Sequence, residues 1–125
     1  MWYQYNANPI NKRVGDCTVR AISKALDQTW GRTYLELALQ GYMMCDMPSA
    51  NVVFGAYLQN NHFVRCDVPC DNCEYTVEDF CRDNPKGTYV LGTGSHTIAV
   101  IDGNHYDTWD SKDEIVLYFW KKKEI

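Results

Sequence analysis

Lys12-Arg13-Val14-Gly15-Asp16-Cys17-Thr18-Val19-Arg20-Ala21-Ile22-Ser23-Lys24-Ala25-Leu26-Asp27 is the stretch around which the chain is organised. Gly15 is free to take turn angles that other residues avoid. Asp16 is a good N-cap, because its carboxylate can accept from the unpaired N–H groups of a first helical turn. Val19, Ile22, Ala25 and Leu26 then fall on one face at helical spacing. Cys17 stands at the first helical position, where free N–H groups and the helix dipole favour negative charge. A thiolate there has a lower pKa than the ~8.5 of a free cysteine. Loops that deliver cysteine to a helix start present many nucleophilic thiols in this way. The bland alternative is a small buried hydrophobe, the usual fate of a free cysteine.

A chain of 125 residues points to one domain, 1–125. At this size a fold buries roughly two-thirds of its unfolded surface and needs no covalent staples. The net charge is −4, from 12 basic and 16 acidic residues. Without a basic stripe, nucleic acid is not an expected partner. Lys121-Lys122-Lys123 reads as a solvated end. Met1-Trp2-Tyr3-Gln4-Tyr5-Asn6 has neither the basic start nor the apolar run of a signal peptide. No stretch approaches the ~20 apolar residues of a membrane span. The expectation is a cytoplasmic protein with no membrane partner. Its six cysteines are then expected as thiols or metal ligands rather than disulfides.

Residues 1–15 read as an extended polar lead-in. A helix is expected from Cys17 to Leu26. A second follows Thr29, with Trp30, Tyr34, Leu37, Ala38 and Gly41 as its apolar stripe. Ser49 is expected to cap a third, with Val52, Val53, Ala56 and Tyr57 facing inward. His62 to Val68 alternates as a short strand. Thr76-Val77-Glu78-Asp79 resembles a capping box for a fourth helix, with Asp79 in the usual Glu place. Beyond Gly87 the period turns to strands: Thr88–Leu91, His96–Ile101, His105–Trp109 and Glu114–Trp120. Helices first and a strand meander second imply an α+β fold, with N-terminal helices packed on a C-terminal antiparallel sheet.

The meander offers a base. His96 opens a strand after Gly92-Thr93-Gly94-Ser95, and Asp102-Gly103-Asn104 is a hairpin turn. A three-residue loop at 102–104 pairs Ile101 with His105 and sets His96 opposite Asp110, on the same face. Asp110 could then accept from one imidazole nitrogen while the other faces a thiol, as nucleophile, base and orienting acid require. A two-residue loop would instead put Trp109 opposite His96. Asp107, three residues nearer the turn, is the second candidate for the acid. The bland alternative is a structural histidine with turn-capping aspartates.

Cysteine at the start of the first long helix, then histidine on a sheet strand, then aspartate on the adjoining strand, is the order of the papain-like cysteine peptidase superfamily. Gly15–Ala25, His96–Gly103 and Tyr106–Ser111 resemble, more narrowly, small papain-like proteins of tailed phages and gut bacteria. The likeness runs over nearly the whole chain. It implies a papain-like fold with Cys17 as nucleophile, His96 as base and then acid, and Asp110 as orienter. The backbone N–H of Cys17 would supply one oxyanion donor. Relatives add a side-chain amide, commonly Gln, shortly before the cysteine; that place is held here by Asn11, with Asn8 and Gln4 as alternatives. The resemblance requires no cofactor. It implies a peptide or protein substrate, a thioester intermediate, and the host cytoplasm as location if a phage encodes the chain. A non-catalytic papain-like module that binds a host or phage protein is the competing class. A cell-wall amidase is another.

Cys66, Cys70, Cys73 and Cys81 could be read as a structural zinc set, since Cys70-Asp71-Asn72-Cys73 has knuckle spacing. Against it, Cys81 falls on the apolar side of the fourth helix and its pairing lacks the two-residue spacing, so thiols and no metal are expected. Trp2, Tyr3, Tyr5 and Trp109 read as core residues, with the wall of a substrate groove as their other possible place.

Overall fold

The computed structural model describes residues 1–69 and 74–124. Its elements, in order, are β1 (Trp2–Gln4), α1 (Cys17–Leu26), α2 (Trp30–Met44), α3 (Asn51–Asn60) and β2 (Phe63–Asp67). They continue with α4 (Val77–Asp83), β3 (Thr88–Gly92), β4 (Thr97–Ile101), β5 (Asn104–Asp107) and β6 (Tyr118–Lys122). The six strands form one sheet in the order β1-β5-β4-β3-β6-β2.

The α+β class is as expected, but the sheet is mixed rather than antiparallel. β1 runs parallel to β5, with Trp2 beside His105 and Gln4 beside Asp107. The supposed lead-in therefore closes one edge of the sheet, and β2 closes the other against β6. Alternation along the central strands gives the sheet two buried faces. Val90, Ala99 and Trp120 pack under Ala21, Ile22, Leu37, Phe54 and Leu58 of α1, α2 and α3. Leu91, Ile98, Val100 and the partly buried Phe119 turn the other way, onto Val77 and Phe80 of α4. The helices thus cover both faces, where the sequence implied one packed layer.

The elements start where their caps allow. Thr29 accepts from the N–H of Arg32 at the head of α2. Thr76 and Asp79 form the reciprocal capping box of α4, so Asp serves there as Glu does elsewhere. α3 differs from expectation: Ala50, not Ser49, precedes it, and the buried set is Val53, Phe54, Tyr57 and Leu58. Val52 is 63% exposed. The last strand also lies later than the alternation implied. Ile115 makes only an isolated bridge to Thr76, and the ladder with β3 begins at Tyr118. Lys121 and Lys122 belong to that strand, with their side chains exposed.

The decisive difference is the β4–β5 turn. Ile101 pairs with Asn104, Val100 with His105 and Ala99 with Tyr106. The loop is therefore the two residues Asp102 and Gly103, at φ 51° and 77°. Positive φ at both positions marks the turn whose twist matches that of the strands it joins. Asp-Gly takes it readily, so Asn104 enters the strand rather than the loop, and every later residue shifts by one.

Candidate active site

Asp16 and Cys17 begin α1 beside the start of β4. Asp16 N–H closes a tight turn onto Val14 C=O at 2.8 Å. Asp16 does not cap the helix with its side chain. Its carboxylate turns inward instead, taking Arg20 Nη1 at 2.7 Å and Trp30 Nε1 at 2.9 Å. The buried guanidinium of Arg20 demands a counter-charge, and Asp16 lies one helical turn away. The expected cap is thus displaced by an ion pair, and no cap side chain claims the first N–H groups of α1.

The thiol of Cys17 is half-buried between that helix start and β4. His96 and Thr97 flank it in the cleft, placed as donors to its thiolate. Burial alone would raise its pKa, but these donors and the histidine charge outweigh it and bring the thiol down to about 7. For His96 burial works downward, while hydrogen bonds to Asp107 and Cys17 carry it up to about 9. Between those values the two groups exist as thiolate and imidazolium. His96 Nε2 lies 2.6 Å from Asp107 Oδ2. The nitrogen left for sulfur is therefore Nδ1.

The third residue is Asp107, which corrects the assignment of Asp110. With the shorter turn, Trp109 comes opposite His96, as the two-residue alternative required, and their ring centroids lie 5.3 Å apart. Asp110 bonds His105 Nε2 at 3.0 Å instead. Asp107 is fully buried and accepts from four donors: His96, Arg20 Nη2 at 3.0 Å, Ser111 Oγ at 2.8 Å and Thr108 N–H at 2.8 Å. Burial would lift its pKa, but the bonds from His96 and Ser111 and the charges of His96 and Arg20 hold it below the usual carboxylate range. Its backbone is fixed as well, since Asp107 C=O accepts from Tyr5 N–H at 2.8 Å and Trp2 Nε1 at 3.2 Å. Trp2 and Tyr5 therefore hold the edge strand and do not line the cleft of Cys17 and His96.

Asn11 is not part of the site. It is exposed at φ 56°, its amide oxygen 3.4 Å from Asn6 Nδ2, and it does not line the cleft. Asn8 is committed to its own loop, accepting from Ile10 and Lys12 N–H through Oδ1. Gln4 lies on β1, paired with Asp107 and away from the sulfur. The cleft holding Cys17 and His96 encloses about 560 Å³. Its walls include Trp30, Tyr34, Leu37, Phe54 and Tyr118, and the only carboxylate among the described lining residues, Asp16, is neutralised by Arg20.

Sequence reading missed Arg20, Thr97 and Tyr118. Arg20 carries a signal in hindsight: it lies one turn after Asp16, close to the apolar side of the first helix, where a charge needs partners. Cys81 is buried, and burial pushes its thiol up to about 11. Cys70 and Cys73 of the supposed zinc set lie outside the described residues. Among the described residues, no group of three or more His, Cys, Asp or Glu side chains is arranged to hold a metal ion. No described helix is long and apolar enough to cross a membrane. Compared with known families, curated proteins and solved structures, the chain has no match.

Proposed function

We propose that the chain is a papain-like cysteine hydrolase that cleaves a peptide, isopeptide or amide bond through a thioester. The observation that carries this reading is the reciprocal pair at the head of α1. A thiol lowered to about 7 meets an imidazole raised to about 9, with a buried carboxylate behind it. Structural thiols lack such a partner; burial in this chain raises one instead, at Cys81.

In the proposed reaction, Cys17 Sγ attacks the carbonyl carbon and the C=O electron pair moves to oxygen. The tetrahedral species collapses as His96 Nδ1 gives its proton to the leaving nitrogen. Water then attacks the thioester, His96 takes a proton from it, and the thiolate leaves. Asp107 stays ionised and holds the imidazole in the orientation that points Nδ1 at sulfur. The apolar and aromatic cleft favours an uncharged or apolar side chain next to the scissile bond.

Iodoacetamide at pH 7.5 tests the reading through peptide mapping of the labelled thiols. Cys17 should react about tenfold or more faster than exposed Cys45, and His96→Ala should erase the difference. Equal labelling of all six cysteines would sink the proposal.

A further inference from the structure

We propose that the Tyr118 hydroxyl is the side-chain oxyanion donor of this site, in the place that Asn11 does not fill; the assignment rests on the cysteine-hydrolase reading above. The register makes the case. Gly92 on β3 pairs with Thr97 on one side and with Tyr118 on the other. Directly paired residues share a face, so Thr97 and Tyr118 stand on the same side of the sheet with a glycine between them. Thr97 flanks the Cys17 sulfur in the cleft and favours its thiolate.

Tyr118 lies flat across that gap. A Cβ on Gly92 would collide first with Cζ of the Tyr118 ring, the carbon bearing the hydroxyl. The phenol oxygen is therefore carried from β6 over β3 toward Thr97 and the sulfur. Only glycine at 92 leaves room for this. The ring lines the cleft, and its phenol is near enough to Cys17 for the thiolate charge to act on it. Among the described residues the hydroxyl has no hydrogen-bond partner, although the side chain is half-buried. A polar atom so placed has a donor free for a ligand.

Arg65 completes the arrangement. Its guanidinium carbon lies 4.2 Å from the Tyr118 ring centroid, on the ring face. Burial pushes the Tyr118 phenol up, and the cation over its π-face opposes that shift and helps to keep the ring in place. When thiolate attacks a carbonyl, the C–S bond forms and the π pair becomes an alkoxide. That alkoxide would accept from Tyr118 O–H and from the unclaimed Cys17 N–H, and both bonds are released when the C=O re-forms.

The test compares two reactions of the same sulfur. Acylation by p-nitrophenyl acetate passes through an oxyanion; alkylation by iodoacetamide does not. Tyr118→Phe keeps the ring against Gly92 and Arg65 and removes a hydroxyl that no described group holds, and circular dichroism checks that the fold is kept. Acylation of Cys17 should fall by about tenfold or more, in line with the loss of one oxyanion donor, while alkylation stays within about twofold. Unchanged acylation would overturn the role of Tyr118 and leave the triad standing. A parallel fall in alkylation would overturn it too, since the phenol would then be acting on the thiolate. If the unaltered chain neither acylates nor alkylates at Cys17 ahead of Cys45, the underlying hydrolase reading is what fails.

Discussion

Asp107 Oδ2 lies 2.6 Å from His96 Nε2, across a hairpin in which neither residue directly faces the other. The pairing of Ala99 with Tyr106, carried one step further, sets Asp107 against Ile98. His96 is then its diagonal neighbour, within reach of a long side chain. Asp107→Asn should therefore raise the Cys17 pKa toward its ordinary value and slow alkylation at pH 7.5 by about tenfold. Asp110→Ala should leave the rate within about twofold, because Asp110 serves His105. The rate of iodoacetamide labelling against pH reads both variants. An Asp110 effect as large as that of Asp107 would refute the assignment.

The pH behaviour follows from the two shifted groups. Alkylation of Cys17 should rise through about 7 as the thiolate forms. Acyl transfer needs the imidazolium as well, so its profile should be a bell that falls again through about 9. The kcat/KM for a p-nitroanilide, whose amine leaves only with a proton, checks this from pH 5 to 11. A monotonic rise would show that His96 donates no proton.

Folding stability should respond differently over the same range. His96 has a raised pKa in the folded chain, so its contribution is full below its ordinary 6.5 and is lost as pH rises through about 9. Cys17 has a lowered one, so its contribution is present above its ordinary 9.0 and is lost as pH falls through about 7. Between about 7 and 9 the folded pair holds one proton, on imidazole, and the unfolded pair also holds one, on sulfur. Equal proton counts give no slope from this pair. Cys17→Ala removes half of the balance, and stability should then decline with pH across that window, as urea midpoints at pH 7, 8 and 9 would record.

The first helix was legible because its turn, periodicity and chemistry fall within a dozen residues. The Cys17–His96 pairing followed from chain order and strand position. Asp107 was not separable from Asp110, because the answer turns on one residue of loop length, and Asp102-Gly103-Asn104 permits two- and three-residue readings. The structure selects the two-residue form, whose positive φ values fall on Asp and Gly. β1 was hidden for another reason: three residues of a parallel edge strand have too little alternation to register. Tyr118 was invisible because its role depends on pairings that span three strands. Nothing near Gly92 in the sequence points to residue 118.

Arg20 is predicted to be the costliest single truncation around the site. It is 5% exposed and bridges Asp16 at 2.7 Å and Asp107 at 3.0 Å. Arg20→Ala leaves two buried carboxylates without their shared cation, a loss of about 3–5 kcal/mol by the usual cost of breaking a buried pair. Chemical denaturation measures it. A loss under about 1 kcal/mol would mean that the pair is solvated like a surface one. Trp30→Phe, which removes only the N–H donated to Asp16 at 2.9 Å, should cost less, about 1–3 kcal/mol.

Gly92 gives the sharpest local contrast with a neighbouring glycine. A methyl at 92 would run into the Tyr118 ring, whereas one at 94 meets nothing within 4 Å. Gly92→Ala must push the ring off the sheet or bend β3, at about 1–3 kcal/mol for an overpacked site. Gly94→Ala should stay within about 0.5 kcal/mol, as for an open surface position. The displaced ring would also draw the phenol away from Thr97 and Cys17. Gly92→Ala should therefore lose acylation of Cys17 beyond what its stability loss explains, when both variants are assayed well below their melting temperatures. If Gly92→Ala is as stable as Gly94→Ala, the Tyr118 ring does not lie against residue 92, and the three-strand register of β4, β3 and β6 is wrong at that level.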